Sequence, residues 1–352
     1  MIKEFLESLE DPKRPLLAPN YWILKKLGFI LPKNIIGKSL YIILHEVATF
    51  FVISQYMELY VIRSDLDLVL TNLKISMLSV VCVFKANTYM LWQNSWKEVF
   101  SYVTEADKFE RNNQDVPKVK IINTYTKYCR RLTYFYWGLV FTTFLTTVFQ
   151  PLAEYLTLSS LREGFHNGTE GFPHIFSSWM PFDKENSPGC WITVVWHTLI
   201  CAYGASVVAA YDASVVVIMV FFGGKLDLLR ERCKQMLGQS GAGISNGESD
   251  AVVKELHQIH VQFLKHSRLF NSLLSPVMFF YMVMCSLMLC ASAYQLTSER
   301  VALGPYESEW WNATLQQRRD VLILSGQLRI TNIFSAGPFT DLTLSTFITM
   351  NW

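Results

Sequence analysis

The sequence is short of charge. Of 352 residues only 17% are Asp, Glu, Lys or Arg, where an ordinary soluble domain carries about 25%. Apolar types supply 51% and aromatic ones 14%. The formal net charge of +2 and the lack of a basic tract give no reason to expect a nucleic-acid partner. Cysteine is present without a pairing pattern. Cys82, Cys201, Cys285 and Cys290 fall in apolar runs, Cys129 and Cys233 read as parts of basic loops, and only Cys190 stands at a span end that faces outwards. With no CxxC and no Cys/His ligand spacing, neither a disulfide framework nor a zinc site is supported. No catalytic constellation stands out, so neither an enzyme nor a bound metal or cofactor is expected. A secretory signal is missing too: Met1–Asp11 is amphipathic and acidic, without the apolar core of a signal peptide, so the first span is expected to act as the signal itself.

Long apolar runs are what the chain has instead. A hydrocarbon core needs roughly 20 apolar residues per helix, and five runs meet that: Ser39–Tyr60, Leu68–Trp92, Leu132–Leu158, Trp191–Phe222 and Ser272–Leu296. A sixth, Ile333–Trp352, is broken by Gly337-Pro338. The mean hydropathy of +0.22 is modest for such a chain, which predicts polar helical extensions outside the bilayer. The fold class is all-α, a polytopic membrane bundle. Its expected parts are an N-terminal segment 1–38, a five-span bundle 39–296 and a basic segment with a partial last helix, 297–352. Basic residues orient it. Segments 1–38, 93–131 and 223–271 hold seven, eight and seven Lys or Arg, whereas 61–67 and 159–190 hold one and two. That alternation predicts a cytoplasmic N-terminus. The sequon Asn167-Gly168-Thr169 falls in a loop placed outside, and Asn167 is the predicted glycosylation site.

The same rule exposes a gap. After an odd number of spans, Ser298–Asn332 should lie outside, yet it carries Arg300, Arg318, Arg319 and Arg329 beside the helical pattern Val321–Leu324. A span that would return the chain inside is read as absent. From Trp191 to Met236 few helix breakers occur, and 46 helical residues would extend roughly 70 Å, about twice a bilayer. With the apolar stripe Leu256, Ile259, Phe263 and Leu264 in the helix predicted over 251–270, this implies a packed helical domain beneath the membrane, where subunits are expected to meet.

Ionisable residues inside spans are functional candidates by default. They are His45 and Glu46 in the first span, Lys74 and Lys85 in the second, and Asp212 in the fourth. The two lysines read as snorkelling side chains. Asp212 fits either an interhelical hydrogen bond or a water-filled vestibule. His197 fits either a metal ligand or, more in keeping with its place beside Trp196, a hydrogen-bonded interfacial histidine. Met77, Phe141, Phe144, Val148, Trp196, Tyr203 and Met288 are the candidate lining of an apolar ligand pocket, though each alone fits plain helix packing. The small residues Gly204, Ala205, Ser206, Ala209 and Ala210 admit close helix approach or leave room for a ligand.

Several motifs carry a likeness to a known family. Phe172–Trp191 (FPHIFSSWMPFDKENSPGCW) resembles the second outer loop of insect odorant receptors, particularly those of moths and butterflies. Ser275-Pro276 with Ser286 and Cys290 resembles their fifth span. Tyr306-Glu307-Ser308-Glu309-Trp310 resembles the stretch before their seventh helix, and Arg318-Arg319 with Gly337-Pro338-Phe339, Leu342, Thr346 and Phe347 that helix itself. The resemblance implies a seven-span subunit of a ligand-gated cation channel with a cytoplasmic N-terminus, in the plasma membrane of olfactory sensory neuron dendrites. It implies a heterotetramer with the shared odorant coreceptor and a small hydrophobic volatile as ligand. The odorant pocket would lie between the second to sixth spans, and the last helix would line the pore with Thr346, Ile348 and Met350. Two departures stand against the family pattern. Gln295–Ser298 runs almost directly into Val301–Tyr306 where a sixth span is expected, and the pore helix ends at Met350-Asn351-Trp352. A non-conducting variant is therefore one alternative, and a gustatory receptor of the same superfamily another. A G-protein-coupled receptor would need an extracellular N-terminus, against the charge pattern.

Overall fold

The chain is described by a computed structural model covering residues 9–64, 66–112, 116–157, 162–164, 173–234, 246–308, 310–328, 335–336 and 340–341. The expected glycosylation site Asn167 and the expected pore residues Thr346, Ile348 and Met350 lie outside these. Helices dominate: α1 (Ala18–Lys26), α2 (Ile35–Val61), α3 (Leu66–Leu91), α4 (Gln93–Asn112), α5 (Val116–Thr157), α6 (Gly189–Lys234), α7 (Asn246–Glu307) and α8 (Leu315–Leu328). Five of them, α2, α3, α5, α6 and α7, are long and apolar enough to cross a membrane, and each takes in one of the five runs read from the sequence, save for Trp92, just past α3, and Leu158, outside the described residues. Within the stretch expected to hold the last helix, Ser335–Ala336 and Thr340–Asp341 pair as a two-residue antiparallel ladder.

The chain divides into two compact units. The first takes the described residues within Met1–Ala48, Cys82–Ile175 and Asp183–Met278. Here α5 and α6, of 42 and 46 residues, pack along each other. At one end they form a domain with α1, α4 and the first part of α7. The amphipathic helix α4 explains that domain. Trp96, Val99, Phe100 and Val103 are buried at helical spacing, and they enter a core with Tyr89, Tyr125, Phe221, Phe222, Phe263 and Phe270. The described residues of 93–131, read from charge as a connecting segment, thus lie in α4 and α5 and contribute to the core. Cys129 is correspondingly buried in α5, and Cys233 lies on α6 rather than in a loop. Cys190, at the start of α6, is buried as well.

The N-terminal segment is locked by local chemistry. Helix α1 ends in a Schellman turn: Phe29 N–H donates to Leu24 O at 3.0 Å and Gly28 N–H to Lys25 O at 3.3 Å. Leu24 and Phe29 close it as a buried apolar pair. Gly28 holds φ +76°, and a Cβ there would sit 2.1 Å from Tyr41 Cδ1. Gly28→Ala is therefore expected to cost more than about 1 kcal/mol, read as a lower thermal midpoint of the detergent-solubilised chain. An unchanged midpoint would refute this docking of α1 against α2. Asn34 starts α2, its Oδ1 accepting from Ile36 N–H at 3.2 Å. Arg130 of α5 secures the segment by donating to Leu16 O, Pro15 O and Glu10.

The second unit takes the described residues within Thr49–Val81, Phe176–Phe182 and Phe279–Trp352. The loop Phe176–Phe182 lies along the later part of α2. Trp179 N–H donates to Ser54 O at 3.1 Å, and the Phe51 and Phe176 rings meet edge to face at 5.6 Å. Helix α8 begins in a capping box, with Thr314 and Gln317 bonding reciprocally. The stretch Ser298–Glu307, expected to belong to a separate amphipathic segment, instead completes α7. The 62 residues of α7 join the helix predicted over 251–270 to the apolar run 272–296 without a break at Asn271.

Candidate functional site

Helices α2, α3, α5 and α6 meet in the first unit through polar bridges set within apolar spans. Lys85 Nζ donates to both oxygens of Asp212, at 2.7 and 3.0 Å, and the Tyr136 hydroxyl donates to Asp212 Oδ2 at 2.8 Å. The Lys85 side chain is only 8% exposed, so it does not snorkel. An ammonium already inside an apolar bundle gains more from a carboxylate on the facing helix than from stretching to the headgroups. Asp212 accordingly takes the interhelical hydrogen bond of its two readings. One turn before Lys85, the Cys82 thiol points at Gly204 O, 3.6 Å away. A Cβ at Gly204 would lie 3.7 Å from the same sulfur, an ordinary contact, so this approach does not require glycine. Two turns above Asp212, the Tyr203 hydroxyl meets His45 Nδ1 at 2.5 Å.

A second cluster lies in the helical domain at the end of the same unit. The buried stripe of α4 continues past Val103 with two acids, Asp107 and Glu110. Asp107 accepts from Arg111 Nε at 2.8 Å and from the Tyr125 hydroxyl at 2.9 Å. Glu110, 1% exposed, pairs with Lys225 and with Arg232 Nη2 at 2.9 Å. Gly224 keeps this corner tight, because a Cβ there would sit 2.6 Å from Tyr125 Cδ1. Close by, Tyr102 stacks on His266 at 3.9 Å and 2°. Burial, helped by the Glu110 carboxylate, pushes the Tyr102 phenol up to about 12, so it remains protonated. Glu98 receives Lys265 at 3.0 Å, and that hydrogen bond holds its carboxyl below the ordinary range. Between α4 and α7 opens a cavity of about 910 Å³, lined by Glu98, Tyr102, Glu105, Phe109, His257 and Gln262 among others. The sequence predicted the domain but not Asp107 and Glu110. The available signal was their place on the apolar stripe of α4, where a carboxylate needs a buried partner.

Towards the other end of α6, His197 meets the ring of His174 edge to face at 5.8 Å. His174 Nε2 donates to Lys184 O at 3.0 Å, and burial lowers its pKa. Among the described residues no three His, Cys, Asp or Glu side chains gather as a metal site requires.

The expected ligand set is spread over both units. Phe141, Phe144 and Val148 line one side of α5, with the two phenyl rings 6.4 Å apart, and Phe141 is 59% exposed. Trp196 and Tyr203 are half-buried on α6. Met77, buried, and Met288, half-buried, belong to the second unit. Neither the 910 Å³ cavity nor a smaller one of about 370 Å³ near the start of α2 takes a wall from Phe141, Phe144, Val148, Trp196 or Tyr203.

No curated protein matches the chain by sequence. Solved structures match the fold. The insect olfactory receptor OR5 from Machilis hrabei in complex with eugenol superposes with a TM-score of 0.59 at 14% identity, covering 94% of this chain and 94% of that one. A second structure of the same receptor gives 0.57 at 14% identity, covering 99% and 95%. The profile of the 7tm odorant receptor family matches residues 65–298. A match over that much of the sequence, on a bundle of membrane-length helices with the receptor fold, means that the chain belongs to the 7tm odorant receptor family.

Proposed function

We propose that this chain is the volatile-binding subunit of a ligand-gated cation channel formed with the shared odorant coreceptor, set in the plasma membrane of olfactory neuron dendrites with its N-terminus inside. The family match over residues 65–298 carries the reading. The ligand is a small, mostly uncharged apolar molecule, and Met77, Phe141, Phe144, Val148, Trp196, Tyr203 and Met288 are its proposed contacts. The eugenol complex of the Machilis receptor supports that ligand class. Asn167 is the proposed glycosylated residue, and Thr346, Ile348 and Met350 the proposed pore lining.

The count of five membrane-length helices among the described residues favours a second reading, a subunit that assembles without conducting. Co-expression with the coreceptor in oocytes separates the two. An inward current evoked by apolar volatiles, above that of coreceptor alone, supports the first. Co-purification with the coreceptor without such current supports the second, and neither current nor co-purification sinks both. Topology is tested in microsomes. With five spans and the N-terminus inside, Asn167 and Asn312 are both expected to be glycosylated. A modified Asn167 with an unmodified Asn312 would mean that a further segment crosses the membrane.

A further inference from the structure

Glu46 is left unexplained by the clusters above. It lies eleven residues into α2, about 16 Å along its axis, in an apolar run, and its side chain is exposed. Among the described residues it has no ion-pair partner, unlike Asp212, which has Lys85. Lys38, two turns earlier on the same helix, also has no acidic partner among them. Both side chains border the cavity of about 370 Å³, with Ile42 and His45 between them on the same helix stripe. The opposite wall comes from Asn87, Met90 and Leu91 of α3 and from Gln93 and Asn94 at the start of α4. Gln93 is held in place, its Nε2 donating to Phe29 O at 2.9 Å. The cavity thus offers one cation, one anion and the carboxamide of Asn94, all within the first unit, while Gln93 Oε1 already accepts from Lys97 Nζ at 3.1 Å. Its apolar border is open: Leu91 is 79% exposed and Ile42 is 37% exposed.

A lone carboxylate facing lipid is costly and calls for a cationic partner. A lysine at the end of a span attracts phosphate. The two charges bordering one small cavity therefore suit a single zwitterion, and the apolar border suits acyl chains attached to it. Carboxamides and a carboxylate accept hydrogen bonds from a primary ammonium, which a quaternary one does not donate. We propose that this cavity is a binding site for a phospholipid with a primary-amine headgroup, phosphate on Lys38 and ammonium on Glu46. The inference rests on α2, α3 and the start of α4 and is independent of any odorant or coreceptor.

The experiment is native mass spectrometry of the full-length chain released from mixed nanodiscs. Palmitoyl-oleoyl phosphatidylethanolamine, phosphatidylcholine and phosphatidylglycerol are supplied in equal amounts. Phosphatidylethanolamine should be retained about tenfold over phosphatidylcholine, the size of one charge-assisted hydrogen bond. Glu46→Gln should bring that ratio close to one. Lys38→Met should lower retention of both zwitterionic lipids about tenfold. Soluble phosphoethanolamine in excess should displace neither. Both substituted side chains are exposed, and an unchanged size-exclusion profile checks that the variants fold. Equal retention of the two zwitterionic lipids by the unaltered chain overturns the proposal, as does a preference that survives Glu46→Gln. Preferential retention of phosphatidylglycerol would mean an anion site, and displacement by phosphoethanolamine a site for a soluble zwitterion. Either result also overturns it.

Discussion

Glu110→Gln is expected to lower the thermal midpoint of the solubilised chain by at least about 5 °C, following from a loss of about 3–5 kcal/mol. Glu110 is 1% exposed and holds two cations, Lys225 at 5% and Arg232 at 10% side-chain exposure. Removing the carboxylate charge leaves both cations in a core of Phe, Tyr and Trp rings. The ranking within the cluster is more telling than the size. Lys225→Met or Arg232→Met should each cost less than Glu110→Gln, because Glu110 keeps one partner in either case. Arg232 also retains Glu255 at 3.2 Å when Glu110 is changed, so Lys225 is the cation left most isolated. Fluorescence-detected size exclusion after graded heating gives the order. A Glu110→Gln variant as stable as the parent would show that the cluster does not hold α4 to α6.

Lys85→Met should be nearly as damaging, and a second substitution should rescue it. The single variant leaves Asp212 with only the Tyr136 hydroxyl, inside a helix bundle. The loss should fall towards the lower end of about 3–5 kcal/mol, because Asp212 keeps 28% of its side chain exposed. Replacing both residues by apolar ones, Lys85→Met with Asp212→Leu, removes the desolvation cost of both charges together with their attraction. Such replacements are often neutral or stabilising. Tyr136→Phe alone should cost about 1 kcal/mol. The yield of monodisperse protein from detergent extracts reports all three variants. If the double variant is as poor as Lys85→Met alone, the two side chains are not a compensating unit, and the bridge between α3 and α6 must be reinterpreted.

The membrane helices were legible because length and composition alone dictate them. Runs such as Trp191–Phe222 have no soluble alternative, and the overhang of α6 followed from a stretch in which Gly204 and Gly223-Gly224 are the only breakers. Partners were not legible. Lys85 finds Asp212 across 127 residues of chain, and nothing in one sequence encodes which facing helix supplies the counter-charge. The default for a lysine near a span end is to reach for the interface, and that default failed here. Asp107 and Glu110 were overlooked for a different reason. In a segment counted for its eight basic residues, acids look like surface charge, whereas the spacing from Trp96 through Val103 places them on the buried side. Helix α7 was read in pieces because its composition changes along its length: amphipathic before Phe270, apolar over 272–296, and charged again at Glu299 and Arg300. Backbone continuity does not follow composition. The proposed ligand contacts rest on residue type alone, and Tyr203 shows the limit of that, since its hydroxyl is engaged by His45.

The grip of Arg130 on the N-terminal segment has a consequence for biosynthesis. Its bonds to Leu16 O and Pro15 O close loops of 114 and 115 residues. At about 5–20 residues per second, roughly 6–23 s of translation separate these positions. Throughout that interval the Leu16 and Pro15 carbonyls lack this donor, although Phe29 can pack on His45 and Tyr89 as soon as these are made. The segment around Leu16 is thus fully secured only once α5 has left the ribosome.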